Sequence, residues 1–389
     1  MKNHLKNIDY PLFVIILLLA SVGIVMVYSA SFVFAGLDPD LNNPDFFFDR
    51  QKRFLIFGFF VFGLTSLFNY RKLGPFIPIF ILGTIFLLVL VLIPGVGVTR
   101  NEATRWLNLG FILLQPSEVA KVALILYFAK AYTNKQEKLH HFGQGVMPPL
   151  IVLLLVFILI VFQPDLGTAV SIIIPCGIIL MFAGIRFRHL FLLGGTALAG
   201  VILLILTEGY RMERLTGFLN PFSDPSGEDY QLVHSLIAIA SGQVNGVGLS
   251  NSVQKAGFLP EAHTDFIMSV IAEELGLLGV LFVIGLYIAF MFKGLMIAKR
   301  ATDQFGQLLA YGITFQITSQ VFINLGAITG LMPITGITLP LISYGGSSLL
   351  ITFFLLGILM NIAVKGNIRR RGMEPKKKES ERTYQAQSL

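Results

Sequence analysis

Long apolar runs recur along this chain of 389 residues, and they decide its fold class. A helical run of about 17–25 apolar residues is long enough to cross the ~30 Å hydrocarbon core of a membrane. Hydrophobic residues make up 54% of the chain and charged residues only 13%, which excludes an ordinary soluble domain. The runs predict an all-α polytopic membrane protein. Its expected spans lie near 11–31, 54–69, 75–93, 112–130, 147–163, 167–185, 190–206, 266–292, 306–329 and 341–364.

The Lys and Arg residues between these runs predict how the helices are oriented. Cytoplasmic loops of membrane proteins carry an excess of both residue types. If the N-terminus is cytoplasmic, 20 of them fall on the cytoplasmic side and 8 on the outer side. Both termini are therefore expected in the cytoplasm, which requires an even number of spans and agrees with ten. Because the positive charge lies in short loops and the C-terminal tail, it favours membrane lipids over nucleic acid as a partner.

One outer segment is too long to be a simple connector. It covers residues 207–264, between the seventh and eighth spans, and contains Gly, Pro and charged residues. Long loops of this kind usually carry function. The membrane domain is expected to cover 8–366. Residues 367–389 form a basic cytoplasmic tail that we expect to be disordered.

Ionisable residues within or beside the apolar runs are functional candidates, because a charge in the membrane is costly. The first four of them along the chain are expected near the outer face. The set is Glu118, Lys121, Asp165, Asp265, Glu273 and Glu274.

Several of these residues have a structural interpretation beside the functional one. Glu118 and Lys121 are three positions apart, so a helix makes them neighbours, and an ion pair is expected that is either structural or part of a substrate site. Asp165 stands where it would cap the start of a helix. Glu273 and Glu274 cannot share one helix face, so at least one of them is expected to pair with another helix.

Asp265 stands where a polar outer loop meets an apolar helix. A carboxylate at this boundary is partly desolvated, which raises its pKa and makes it a better general base. A helix cap is an equally good interpretation from the sequence. Outer-side cations would suit an anionic lipid head group, although solvated loop charges are the ordinary alternative. These cations include Arg100, Arg105, Arg211, Arg214 and Lys255.

The string Ser343–Ser348 (SYGGSS) superficially resembles a phosphate-binding loop. It lacks the lysine of a P-loop, and small residues at a helix interface explain it equally well. The sequence has no HExxH motif, no Cys/His metal cluster and no GxSxG elbow, and Cys176 is its single cysteine. No metal motif, disulfide or serine-hydrolase site is therefore expected.

Four strings occur in a familiar order. They are Gln115–Lys121 (QPSEVAK), Gln163–Thr168 (QPDLGT), Gln254–Gly276 with PEAHTD inside it, and Pro333–Ser348 ending in SYGGSS. Together they resemble the SEDS family (shape, elongation, division and sporulation), whose members include FtsW, RodA and SpoVE. The FtsW form is the most similar, and the resemblance covers roughly residues 8–366.

The resemblance implies ten spans, a large outer loop before the eighth, and an inverting peptidoglycan glycosyltransferase. Such a hexosyltransferase polymerises lipid II into β-1,4 glycan strands and releases undecaprenyl diphosphate, here for the septal cell wall. An elongation or sporulation polymerase, a lipid II flippase and a non-catalytic scaffold remain alternatives. Implied partners are a class B penicillin-binding protein acting as transpeptidase and other division proteins, at the septum of a bacterial cell membrane. The resemblance implies no particular cofactor, although a divalent cation such as Mg²⁺ or Mn²⁺ would suit a diphosphate.

The resemblance also implies roles for particular residues. The family's essential loop aspartate falls on Asp265, the expected general base. Its Arg-Trp motif falls on Arg105 and Trp106, and its Glu/Lys pair on Glu118 and Lys121. The expected substrate-binding residues are Arg105, Lys255, Arg211, Arg214, His263 and Glu261. Members usually have glycine where this chain has Gln243, so the loop conformation there is not predicted.

Overall fold

The computed structural model describes residues 6–39, 41, 43–100, 103–110, 112–139, 141–207, 209, 212, 216–218, 221–222 and 230–387. Each of the ten expected spans overlaps one α-helix, and α8 is an additional helix of the loop region. The helices are α1 (Tyr10–Leu37), α2 (Phe46–Leu67), α3 (Ile77–Leu92), α4 (Pro116–Asn134), α5 (Met147–Val161), α6 (Leu166–Phe182), α7 (Phe187–Leu206), α8 (Tyr230–Gly242), α9 (Ile267–Arg300), α10 (Gln304–Ile328) and α11 (Gly346–Gln387).

Within the described ranges, seven helical segments have both the length and the apolar composition needed to cross a membrane. They belong to α1, α3, α5, α7, α9, α10 and α11. Of the remaining helices, α6 is apolar but has only 17 residues, and the first turns of α2 and α4 contain charged residues. The polytopic helical fold class is therefore confirmed, while the count of ten and the cytoplasmic termini stay predictions.

The C-terminal tail differs from the expectation. Helix α11 continues beyond the expected span to Gln387, where a disordered tail was predicted over residues 367–389. The tail is rich in Glu, Lys, Arg and Gln, which have high helix propensity, and a helix already formed can extend into such residues.

A small antiparallel sheet, which the sequence did not predict, fills the connection between α3 and α4. Its strands are β1 (Gly97–Arg100), β2 (Ala103–Asn108) and β3 (Leu113–Leu114), in that spatial order. The turn from β2 to β3 has Gly110 at a φ of +85°, and the Asn108 side chain accepts a hydrogen bond from the Gly110 N–H. The sheet satisfies the backbone polar groups of this connection and brings it beside the start of α4.

Helix α9 is broken at Gly276, where φ is +63° and ψ is −163°. The carbonyls of Glu273 and Glu274 accept hydrogen bonds from the N–H groups of Val247 (2.9 Å) and Gly248 (3.0 Å) instead. A Cβ atom on Gly276 would collide with this backbone. The loop after α8 is therefore fastened to the first turns of α9.

Helices α2 and α11 pack closely through small residues. A Cβ atom on Gly58 would overlap the Phe353 ring, and one on Gly346 would lie 2.6 Å from the Phe54 ring. Such contacts let two membrane helices approach without a gap. They place the first turns of α2 beside the start of α11.

Candidate active site

One end of the bundle contains a cavity of about 1320 Å³. Its wall comes from α2, the small sheet, the first turns of α4, the loop before α9, and the segment between α10 and α11. The charged residues in the wall are Arg50, Arg53, Arg105, Glu118, Lys121, Glu261 and Asp265. Five of these are expected site residues, and Trp106 lines the cavity as well. Arg50 and Arg53 were not expected there.

A tight turn before α9 presents Asp265. Glu261 adopts a φ of +53°, and its carbonyl accepts hydrogen bonds from the N–H groups of Thr264 (3.1 Å) and Phe266 (3.3 Å). The Thr264 hydroxyl also donates to the Glu261 carboxylate at 2.6 Å. Glu261 therefore organises the turn that leads to Asp265, and both residues line the cavity.

Two uncharged residues fasten this turn to its neighbours. The Asn324 amide of α10 donates to the carbonyls of Asp265 (2.7 Å) and Ile337 (2.8 Å). The Ser343 hydroxyl donates to the Thr264 carbonyl at 2.6 Å. The backbone at Asp265 is therefore held from both sides. Neither residue was predicted to hold this turn, because only ionisable groups in the spans were weighed for such roles, although an Asn inside an apolar helix is itself a signal.

The ion pair expected on α4 is present. Lys121 Nζ lies 2.7 Å from Glu118 Oε1, with 3% and 8% of the two side chains exposed. Lys121 also lies 3.5 Å from Gln320 Oε1 of α10. The pair lines the cavity and ties α4 to α10, so either expected role fits its position.

Arg105 is fixed beside the start of α6. Its guanidinium donates to the carbonyls of Gln163 (3.3 Å) and Pro164, and lies 3.8 Å from the Asp165 carboxylate. Asp165 accepts from the Thr168 N–H at 3.3 Å, so the expected helix cap is confirmed. The Gln115 amide also donates to Asp165, at 3.2 Å. Arg105 is thus a positioned cation on the cavity wall, with only 21% of its side chain exposed.

Lys255 does not line the cavity. Its ammonium lies 2.6 Å from Glu274 Oε1 and donates to the Ser29 hydroxyl at 2.9 Å, with 3% of the side chain exposed. Glu273 accepts from Ser252 and from the Val253 N–H, so both glutamates hold the outer loop. The expectation that one of them pairs with another helix is met through Ser29 of α1. Lys255 was expected to bind substrate, but the structure places it in a buried ion pair with Glu274.

His263 also lies away from the cavity wall. It packs among the rings of Phe34, Phe47 and Tyr344. Burial lowers the pKa of His263 to about 4, although the charge of Glu261 acts in the opposite direction. A neutral imidazole cannot bind a diphosphate by charge, so this position does not support the expected contact with substrate.

Two expected substrate-binding residues, Arg211 and Arg214, lie outside the described residues. Across the parts of the chain that the structure describes, no group of three or more His, Cys, Asp or Glu residues could hold a metal ion by itself.

The family model described as "Cell cycle protein", covering FtsW, RodA and SpoVE, matches residues 10–368. The chain belongs to this family. The SEDS resemblance is therefore confirmed. The FtsW/RodA/SpoVE match extends over all the cavity-lining residues named above.

Curated relatives carry the names of that family. A probable peptidoglycan glycosyltransferase FtsW of Bacillus subtilis (strain 168) is 43% identical, and the match covers 96% of each chain. Stage V sporulation protein E of the same organism is 40% identical over 91% of this chain and 96% of its own. A probable FtsW of Geobacter sulfurreducens (strain DL-1 / KN400) is 38% identical over 93% and 97%.

Solved structures of relatives have the same fold. One chain, from a study of how a peptidoglycan synthase complex coordinates polymerization and crosslinking, superposes with a TM-score of 0.75 at 29% identity. The match covers 92% of this chain and 98% of that one. The rod shape determining protein RodA of Thermus thermophilus gives a TM-score of 0.66 at 28% identity, covering 92% and 96%.

Proposed function

We propose that this chain is a peptidoglycan glycosyltransferase that polymerises lipid II. The observation that carries the proposal is a cavity whose wall brings Asp265 together with Arg105. The curated relatives named peptidoglycan glycosyltransferase support the same activity. A carboxylate beside fixed cations suits a reaction that removes a proton at one point and releases a diphosphate at another.

The reaction joins the 4-hydroxyl oxygen of one lipid-linked sugar to the anomeric carbon of another. The bond from that carbon to the diphosphate oxygen breaks, and polyprenyl diphosphate leaves with the electron pair. An α-linked donor becomes a β-1,4 product, so the carbon is inverted. Asp265 takes the hydroxyl proton, and general-base catalysis of this kind contributes typically about 10²–10⁴-fold to the rate.

Arg105 stabilises the departing diphosphate. Arginine binds phosphate oxygens through two parallel N–H donors, and Arg105 is already oriented by the Gln163 and Pro164 carbonyls. A diphosphate-bound Mg²⁺ would need only one or two protein carboxylates, and Glu261 would supply an oxygen ligand of that kind on the cavity wall while Asp265 acts as the base. Such an ion would neutralise part of the diphosphate charge.

The cellular setting completes the proposal. The protein acts at the division septum, on the outer face of the cell membrane, beside a class B penicillin-binding protein and other division proteins. The similar FtsW sequences support a division role, and the synthase complex that coordinates polymerization with crosslinking supports a transpeptidase partner. Localisation of a fluorescent fusion through the cell cycle tests the septal role, which lateral or spore-specific localisation would contradict.

The activity is tested by measuring glycan polymerisation from lipid II with purified Asp265→Asn protein. We expect turnover to fall by about two to four orders of magnitude while the protein stays folded. Glu137→Gln is the matched control, because it removes an exposed carboxylate that follows the C-terminal end of α4 and does not line the cavity. Near-normal turnover by folded Asp265→Asn protein would remove Asp265 from the mechanism.

A lipid II flippase is the rival function. Transport would need polar groups along a path through the bilayer, whereas the charged residues of the cavity wall gather at one end of the bundle. Proteoliposomes carrying a fluorescent lipid II and an external quencher distinguish the two. Lipid movement without glycan synthesis would favour the flippase.

A further inference from the structure

The cavity has a second feature that suits an anion, at the start of α11. The Gly345 carbonyl accepts a hydrogen bond from the Leu349 N–H at 2.8 Å and so begins the helix. The N–H groups of the first turn have no partner within a helix, and the helix dipole makes this end positive. Gly345, Gly346, Ser347 and Ser348 all line the cavity. Phosphate groups commonly bind at such a position.

The two serines give independent support for a ligand. Ser347 and Ser348 are only 7% and 8% exposed, yet both contribute to the cavity wall. Among the described residues, nothing forms a hydrogen bond with either hydroxyl. Both hydroxyls can therefore donate to a bound group that accepts hydrogen bonds, such as a phosphate oxygen.

Two arginines of α2 stand beside the same helix start. Phe54 packs directly on Gly346, which brings the first turns of α2 against α11. Arg50 and Arg53 lie within one helical turn of Phe54, and both line the cavity. The Arg50 guanidinium lies 4.2 Å from the centre of the Phe46 ring, and Arg53 Nε donates to the Asp49 carbonyl at 3.2 Å.

The remaining donors of these arginines are available for a ligand. Within the described part of the chain, neither arginine forms an ion pair. Arg105 lies beside Asp165, so Arg50 and Arg53 are the arginines of the cavity wall that have no carboxylate partner among the described residues. A diphosphate suits these two cations, and it offers enough acceptor oxygens for two arginines, two hydroxyls and backbone N–H groups.

We propose that Arg50, Arg53, Ser347 and Ser348 form a second diphosphate-binding site, the α11 subsite. This inference rests on the proposed function, because joining two lipid-linked sugars requires two diphosphates to be held at once. Arg105 binds the one that leaves. The α11 subsite holds the diphosphate of the glycosyl acceptor, which stays attached while its distant sugar hydroxyl is deprotonated by Asp265.

The test measures binding without turnover. Purified full-length protein in nanodiscs of neutral phosphatidylcholine is titrated with undecaprenyl diphosphate, and bound lipid is counted by native mass spectrometry. Wild-type and Asp265→Asn proteins are expected to bind two molecules per chain. Arg53→Gln/Ser347→Ala should bind one of them about 10- to 100-fold more weakly, as expected for loss of hydrogen bonds to a charged group.

Control variants assign each bound molecule. Lys52→Gln removes a neighbouring α2 cation that pairs with Asp49 and does not line the cavity, so it should still bind two. Arg105→Gln should lose the other molecule and keep the α11 one. The site retained in each variant also reports that the protein is folded.

Three outcomes would overturn the α11 subsite. The first is that Arg53→Gln/Ser347→Ala still binds two molecules with unchanged affinity. The second is that wild-type protein binds only one molecule and that only Arg105→Gln weakens its binding. The third is that phosphatidylglycerol displaces undecaprenyl diphosphate equally well from the α11 subsite, which would indicate a general anionic-lipid site. Inorganic pyrophosphate is expected to compete, since it carries the same head group. An Asp265→Asn protein that polymerises normally would refute the proposed mechanism without changing these binding counts, so the two failures are distinguishable.

Discussion

Replacing Lys255 with methionine is expected to loosen the outer loop without removing a substrate contact. The Lys255 ammonium lies 2.6 Å from the Glu274 carboxylate, and 3% and 0% of the two side chains are exposed. The variant leaves the Glu274 charge buried with only the Ser29 hydroxyl beside it. Removing one partner of a buried ion pair costs about 3–5 kcal/mol, because the other charge is left uncompensated.

That cost should appear locally in hydrogen–deuterium exchange of residues 247–265. Lys255 belongs to this loop, whereas Glu274 and Ser29 lie on the helices that hold it. If local opening controls exchange, losing about 3–5 kcal/mol speeds exchange by roughly 10²- to 4 × 10³-fold, at about 1.4 kcal/mol per factor of ten. Polymerisation should fall as well, since Asp265 ends the same loop.

The double variant Lys255→Met/Glu274→Leu separates this explanation from substrate binding. Replacing both members of a buried pair with apolar residues is often neutral or stabilising. Exchange in the loop should therefore return toward the wild-type rate, and polymerisation should recover with it. A folded double variant with a protected loop but no activity would refute the reasoning and restore Lys255 as a substrate-binding residue.

Three further perturbations test the surroundings of the site. The free energy of unfolding should decline by up to about 3 kcal/mol as pH falls from about 6.5 to about 4, because the unfolded chain takes up a proton that buried His263 resists. Denaturation of His263→Phe protein at several pH values should show a flatter dependence of this free energy on pH. Gly246→Ala should destabilise the protein by about 1–2 kcal/mol or more in thermal unfolding, because φ is +75° and the new Cβ would collide with the Glu274 carbonyl. Gln243→Gly should instead be neutral or stabilising, because it relieves a φ of +47°. Asp165→Ala should lose about 1 kcal/mol of helix capping, and it should also weaken diphosphate binding because Arg105 is no longer held in position. Asp165→Asn should weaken diphosphate binding in the same way while keeping most of the stability.

The helices were predictable because the signal for a membrane span is continuous over about twenty residues. The short sheet between α3 and α4 was not, because strands of two to six residues have no comparable pattern and depend on a turn at Gly110. The break in α9 was hidden for a related reason. Gly276 lies between Leu275 and Leu277 in an otherwise helical stretch of the sequence, and only the loop packed against it reveals why the helix breaks.

The candidate site was predictable where chemistry and position coincide in one residue. Asp265 could be selected because it carries a charge at the boundary between loop and helix, and Arg105 because it is an outer-loop cation within the family's Arg-Trp motif. Lys255 has the same appearance in the sequence, and only the position of Glu274, 19 residues further on, separates a structural pair from a free cation. Arg50 and Arg53 were passed over because their importance comes from α11, which is remote in sequence and close in space.

The cations of this protein therefore fall into two groups, those with a carboxylate at hydrogen-bond distance and those without one among the described residues. Lys121 and Lys255 face carboxylates at 2.7 Å and 2.6 Å within the protein, which makes their burial tolerable and leaves little charge for a ligand. Arg50 and Arg53 face open space at a helix end. A diphosphate needs cations that are not already neutralised at hydrogen-bond distance. Arg50 and Arg53 meet this condition, and so does Arg105, whose guanidinium lies 3.8 Å from the Asp165 carboxylate. Pairing has to be known before an ionisable residue in a membrane protein is assigned to function. A single sequence reveals it for neighbours on one helix, such as Glu118 and Lys121, but not for partners further apart in the chain, such as Lys255 and Glu274.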